Sequence, residues 1–151
     1  MSKAKDLQTG HIGLNVTDLD RSIAFYREVF DFELLGEGKD GERRWAFLGR
    51  DSRLVVTLWQ QSEGTFAPAL PGLHHLSFQV DTVEEIRATE EVLRSLGATF
   101  AYEGVVPHGE TGTSGGIFFT DPDGIRLEIY ASTGADPADA PTSNAPTCGF
   151  F

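Results

Sequence analysis

Cysteine is almost absent from this chain: Cys148 is the only one in 151 residues. A single thiol makes no internal disulfide, and thiolates alone cannot build a zinc site here. The expected setting is a reducing, intracellular one. Positive charge is scarce as well. Twelve Lys and Arg stand against 23 Asp and Glu, a formal net charge of −11. That field repels nucleic acid and anionic membranes. No run approaches the roughly 18 apolar residues of a membrane-spanning helix. The opening MSKAKDLQTG lacks the apolar core of a signal peptide. The expectation is a soluble, cytoplasmic protein whose partner is a small molecule, with no nucleic acid and no membrane. What the chain does have is 40% hydrophobic residues and 11 phenylalanines, enough for one domain with a substantial core.

Alternation and capping signals divide it into elements. HIGLNV (11–16) alternates as a strand. A helix follows, with Thr17 or Asp18 as N-cap and Leu19, Ile23, Tyr26 and Phe30 on one face. WAFLGR (45–50) and RLVVTLWQ (53–60) read as strands joined by a short turn at Gly49–Ser52, and 61–72 reads as a linker. The order then recurs. HLSFQV (75–80) is a strand; Thr82 and Glu85 form a capping-box pattern. Val83, Ile86, Leu93 and Leu96 give a helical stripe that Gly97 ends. ATFAYEG is expected to be a strand, VPHGETGTSGG (106–116) a glycine-rich loop, and GGIFFTD and GIRLEIY two strands turned by Asp121-Pro-Asp-Gly124.

The two halves align. His11–Val16 sits over His75–Val80, and Phe47–Trp59 over Phe118–Tyr130. This is an internal repeat of the form βαβββ, too long in period for a solenoid. It predicts a single domain over residues 10–131, made of modules at about 10–61 and 73–131. An Ala/Pro/Thr-rich tail covers 132–151.

Strand parity picks out candidate chemistry. Side chains alternate across a strand, so Leu76, Phe78 and Val80 face the helix while His75, Ser77 and Gln79 face away. By the same parity His11 and Asn15 face away in the first module, Arg126, Glu128 and Tyr130 in the last strand, and Thr57 and Trp59 in its repeat partner. If a pseudo-twofold axis relates the modules, His11 and His75 meet near it, flanked by Glu128 and Thr57. Two imidazoles and one carboxylate make an open site for one divalent ion: Fe, Mn, Ni or Zn. Read singly, a histidine at a strand start or a glutamate in a strand is more often a solvated residue. Three in phase at repeat-related positions point to ligands. His74 does not share that face.

HIGLNVTDLDRSIAFYREVF, GLHHLSFQV and FFTDPDGIRLEIY resemble the vicinal oxygen chelate superfamily of glyoxalases, bleomycin-resistance proteins and extradiol dioxygenases. The resemblance covers residues 10–131. It implies an α+β fold, with paired βαβββ modules forming a U-shaped mixed sheet and helices on the outer face. It also implies a homodimer and a metal held by His11, His75 and Glu128. Some features depart from particular members. Thr57 stands where glyoxalase I has a further glutamate. No Lys or Arg occurs in YASTGADPADA, where fosfomycin thiol transferases carry basic residues. Phe118 stands where extradiol dioxygenases are expected to carry a tyrosine. Bleomycin-binding relatives usually lack the three ligands, which this chain keeps.

Around that centre, Asn15, Thr57, Trp59, Ser77, Gln79, Arg126 and Tyr130 are the expected substrate-pocket residues. Trp59 and Tyr130 would wall a planar ligand or pack at a dimer seam. Arg126 would anchor an anionic substrate or pair with a carboxylate. His108 is the candidate acid or base, set against a solvated loop histidine. Asp121 and Asp123 read as turn formers, and Glu110 as exposed. The tail, ending Cys148-Gly-Phe-Phe151, is either a disordered end or a segment that folds back. The leading reading is a metal-dependent dioxygenase, lyase or isomerase that chelates its substrate through adjacent oxygens. The alternative is a binding protein that sequesters a toxic metabolite without turnover; a sensor or partner subunit is a weaker third.

Overall fold

The computed structural model describes residues 3–141 and 145–149. The chain divides into two compact units, one up to Gly64 and one from Thr65. The first runs β1 (Ile12–Val16), α1 (Leu19–Phe30), β2 (Glu33–Asp40), β3 (Arg43–Arg50), β4 (Arg53–Gln60). The second runs β5 (Leu76–Gln79), α2 (Val83–Ser95), β6 (Val106–Pro107), β7 (Gly115–Thr120), β8 (Arg126–Ala131). Each holds a four-stranded mixed sheet, ordered β1-β4-β3-β2 in one and β5-β8-β7-β6 in the other. The class is α+β, as expected, and the two units repeat one topology. Neither helix is long and apolar enough to cross a membrane among the described residues.

The repeat extends to register. Gly13 pairs Thr57, which pairs Phe47, in the first sheet. At the repeat-equivalent places Ser77 pairs Glu128, which pairs Phe118. Parity therefore works alike in both sheets. One row per sheet is apolar and buried: Leu14, Leu58 and Ala46 in the first, Leu76, Leu127 and Phe119 in the second. Helix α1 packs on β3 and β4, and α2 on β7 and β8.

Local chemistry explains the helix ends. Asp18, of the two expected N-caps, accepts from the Arg21 N–H at 3.1 Å. The Thr82 hydroxyl accepts from the Glu85 N–H at 3.3 Å while the Glu85 carboxylate takes the Thr82 N–H at 3.0 Å, closing the capping box. At the other end Gly97 adopts φ +72°, with Gly97 N–H to Arg94 O and Ala98 N–H to Leu93 O. That crossed pair satisfies the orphan carbonyls of the last turn. In the first unit Asp51 and Ser52 both take positive φ between β3 and β4, the two-residue turn that matches strand twist.

The structure departs from the sequence expectations in four places. Ile23 is only half-buried; the inward face of α1 is Leu19, Ser22, Phe25, Tyr26, Val29 and Phe30. Leu96 is 48% exposed, because it is the C-cap and has left the helical stripe. ATFAYEG is not a strand. Only Thr99–Ala101 bond to β7, the chain turns away at Gly104 (φ +67°), and pairing resumes at Val106. Conversely Glu33–Asp40, where the sequence reading expects no element, is the terminal strand of its sheet and completes the βαβββ pattern of the first unit.

Ser22 carries a testable consequence. It is fully buried, and among the described residues its hydroxyl has no hydrogen-bond partner. Removing an unsatisfied buried hydroxyl from a helix relieves desolvation and improves propensity. Ser22→Ala is expected to raise unfolding stability in urea by about 1 kcal/mol; a loss of that size would contradict the assignment.

Candidate metal centre

In the second unit the carboxylate of Glu128 sits in the middle of β8, 3% exposed. Parity turns it away from α2, onto the face shared by Ser77 and Phe118. A buried carboxylate without partners costs several kcal/mol. Two imidazoles meet it. His108 Nε2 is 2.6 Å from Oε1, and His75 Nε2 is 3.4 Å from Oε2. His75 stands one residue before β5, delivered by the same parity.

The protonation of His75 follows from its neighbour. His74 Nε2 is 3.3 Å from the carbonyl oxygen of Gly149, which can only accept, so that nitrogen carries the hydrogen. In neutral His74, Nδ1 is then an acceptor. It lies 2.7 Å from His75 Nδ1, which therefore donates. In neutral His75 the lone pair is left on Nε2, facing Glu128. Burial favours that neutral form: it lowers the His75 pKa below its ordinary value, against the opposing pull of Glu128. His75 Nε2 and a Glu128 carboxylate oxygen stand 3.4 Å apart. Two ligands with bonds of about 2.0–2.2 Å at a tetrahedral angle stand about 3.4 Å apart. The donor set and spacing fit a divalent cation.

His108 occupies the other side of the carboxylate. Its Nδ1 is hydrogen-bonded to the Ser114 hydroxyl, and its ring lies 5.3 Å from that of Tyr130 and 6.3 Å from that of Phe118. Both ring nitrogens are engaged, so His108 reaches the centre through Glu128.

The five-residue segment 145–149 closes one flank. Thr147, fully buried, donates through Oγ1 to Pro107 O at 2.7 Å and through its N–H to His108 O at 2.9 Å. Tyr102 Oη–H donates to Thr147 O at 3.0 Å. This segment folds back, one of the two expectations for the tail; Phe150 and Phe151 lie outside the described residues. The next residue, Cys148, is half-buried, and burial together with the charge of Glu128 raises its thiol pKa. Donor atoms of His75, Glu128 and Cys148 lie within 4.8 Å of one another.

The remaining candidates are placed as follows. Ser77 and Gln79 are exposed on the Glu128 face, where Gln79 Oε1 accepts from the Tyr130 hydroxyl at 3.0 Å. Arg126 shares that parity, opposite Thr120. In the first unit His11 precedes β1 and is exposed. There Asn15 accepts from Gln61 Nε2 at 3.1 Å, and Thr57, 2% exposed, accepts from Trp59 Nε1 at 2.9 Å. Trp59 lies 6.3 Å from the rings of both Trp45 and Phe47. Asp121 is a turn former, its Oδ1 accepting from the N–H groups of Asp123 and Ile125. His74, Ser114 and Cys148 were not among the candidates. Only the adjacency of the two histidines hinted at His74; nothing local marked the other two.

Residues 8–129 match the family model of the Glyoxalase/Bleomycin resistance protein/Dioxygenase superfamily. The chain belongs to this superfamily. It is 33% identical over 127 residues to a "Probable lactoylglutathione lyase" of Vibrio parahaemolyticus, covering 79% of this chain and 86% of that one. It is 24% identical over 129 residues to the "Catechol-2,3-dioxygenase" of Bacillus subtilis, covering 84% of this chain but only 42% of that longer protein. The solved glyoxylase/bleomycin resistance protein/dioxygenase domain from Frankia sp. superposes with a TM-score of 0.74 at 27% identity, covering 85% of this chain and 99% of that one.

The buried carboxylate depends on His108. A hydrogen bond to a charged group contributes about 1.5–3 kcal/mol. His108→Ala is therefore expected to destabilise chelator-treated protein by about 2 kcal/mol in urea unfolding; a change under about 0.5 kcal/mol would mean that Glu128 does not need this partner.

Proposed function

We propose that this superfamily member is a metal-dependent enzyme acting on a small molecule that presents two adjacent oxygen atoms, with His75 and Glu128 as metal ligands. The observation that carries the proposal is the convergence of His75 Nε2 on the buried Glu128 carboxylate at 3.4 Å, with His74 bonded behind the His75 ring. The kinship with lyases and dioxygenases supports turnover rather than sequestration. The internal repeat adds His11 to the ligand set: it stands to β1 as His75 stands to β5, and the imidazole can come from this chain or a second copy.

A divalent cation held there would polarise the chelated oxygens as a Lewis acid. The rest is the work of the chain's own groups. His74 fixes the ring of His75 and keeps its Nδ1 protonated, the role of an outer partner of a ligating histidine. His108 orients the Glu128 carboxylate and holds a proton at Nε2, with the Ser114 hydroxyl behind it. Tyr130, Gln79 and Ser77 line the substrate side of the same sheet face. In the proposal Asn15, Thr57 and Trp59 belong to the substrate pocket by repeat position, and Arg126 by parity.

Protein purified without chelator is expected to carry one divalent ion per chain by elemental analysis. His75→Ala and Glu128→Ala each lower that content below about a tenth, and His11→Ala lowers it too. Turnover of catechols, 2-oxoaldehyde adducts or epoxides by wild type, lost in step with the ion, completes the assignment. Absence of metal from wild type, with tight uptake of a planar compound, would replace this reading with sequestration.

A further inference from the structure

We infer that Cys148 is a ligand of the same centre: the segment 145–149 carries a thiolate to the cation held by His75 and Glu128. The inference rests on the metal site proposed above and goes beyond the two-histidine, one-carboxylate set.

Two observations place the thiol. First, the donor atoms of His75, Glu128 and Cys148 all fall within 4.8 Å of one another, a mixed nitrogen, oxygen and sulfur set. Second, the segment is locked on both sides of the cysteine. Before it, buried Thr147 bonds to Pro107 O and His108 O and accepts from Tyr102. After it, Gly149 O takes the His74 hydrogen that sets the lone pair of His75. The contact that prepares the histidine ligand and the residue that brings the sulfur are therefore neighbours in one turn of 3-10 helix, Thr147–Gly149.

In this mode the thiol proton leaves to solvent as the sulfur–metal bond forms, with no change of oxidation state. Sulfur ligation has chemical consequences. A soft thiolate shifts preference toward zinc and cobalt and away from manganese or magnesium. It also occupies a coordination position that a chelating substrate would otherwise take, so release of the segment would open that position. Cys148 is the chain's only thiol, so any thiolate signal from the protein has one source.

The test is cobalt(II) titration of the full, reduced chain under anaerobic conditions, followed by absorption spectroscopy. Wild type is expected to bind one cobalt with the intense near-ultraviolet thiolate-to-cobalt charge-transfer absorption alongside the visible d–d bands. Cys148→Ser is expected to lose the charge-transfer absorption, keep weaker d–d bands, and bind cobalt at least about tenfold less tightly. Its thermal melt after chelation should match wild type, which separates lost ligation from lost folding. One cobalt bound by wild type without the charge-transfer absorption would overturn the thiolate and leave the histidine–carboxylate site standing. Absorption that persists in Cys148→Ser would overturn it equally. No cobalt bound at all would overturn both this inference and the proposed function. Wild type alone decides the question should the variant fail to fold.

Discussion

The site depends on one buried negative charge. Glu128 lies in a strand whose neighbours on either side, Leu127 and Ile129, are buried against the helix layer. Its own parity leaves the carboxylate on the opposite face, and pairing with β5 and β7 closes water out. An uncompensated charge there would cost more than most single interactions contribute. The surroundings answer with His108, which donates to one oxygen, and set His75 Nε2 against the other. Each is held in turn from outside, His108 by Ser114 and His75 by His74. The centre is thus built in layers, and its chemistry depends on the outer ones.

Those layers come from segments far apart in sequence. The double histidine heads β5, Glu128 comes from β8, His108 and Ser114 bracket a glycine-rich loop, and Gly149 belongs to the end of the described chain. Sheet register brings the first two together. The Thr147 hydroxyl and amide, bonded across to Pro107 and His108, bring the last two together. Loop and tail form one structure, with the loop also closed by His108 N–H to Ser114 O and by Ala135 N–H to Thr113 O. Loosening the tail would disturb His74 and His108 alike, on opposite sides of the same carboxylate.

Much of this was legible from strand parity and repeat. The alignment of Phe47–Trp59 on Phe118–Tyr130 anticipated that Thr57 and Glu128 occupy equivalent register positions, and the ladders place them so. The capping box at Thr82 and the stop at Gly97 were readable because each is a local rule with few solutions. Edge strands were not. β2 and β6 lie at the ends of their sheets, so burial imposes little pattern on them, and ELLGEGKD carries more charge than a strand signal tolerates. The roles of His74, Ser114 and the Cys148 segment were illegible for another reason. They act through contacts made after the chain has folded, and no periodicity announces such contacts. The join between loop and tail is of that kind.

Anomalous diffraction from crystals of the metal-loaded protein tests the central claim most directly. The account predicts a peak between His75 Nε2 and the Glu128 carboxylate, within about 2.0–2.3 Å of each. A peak confined to other residues, or none under saturating metal, would contradict it.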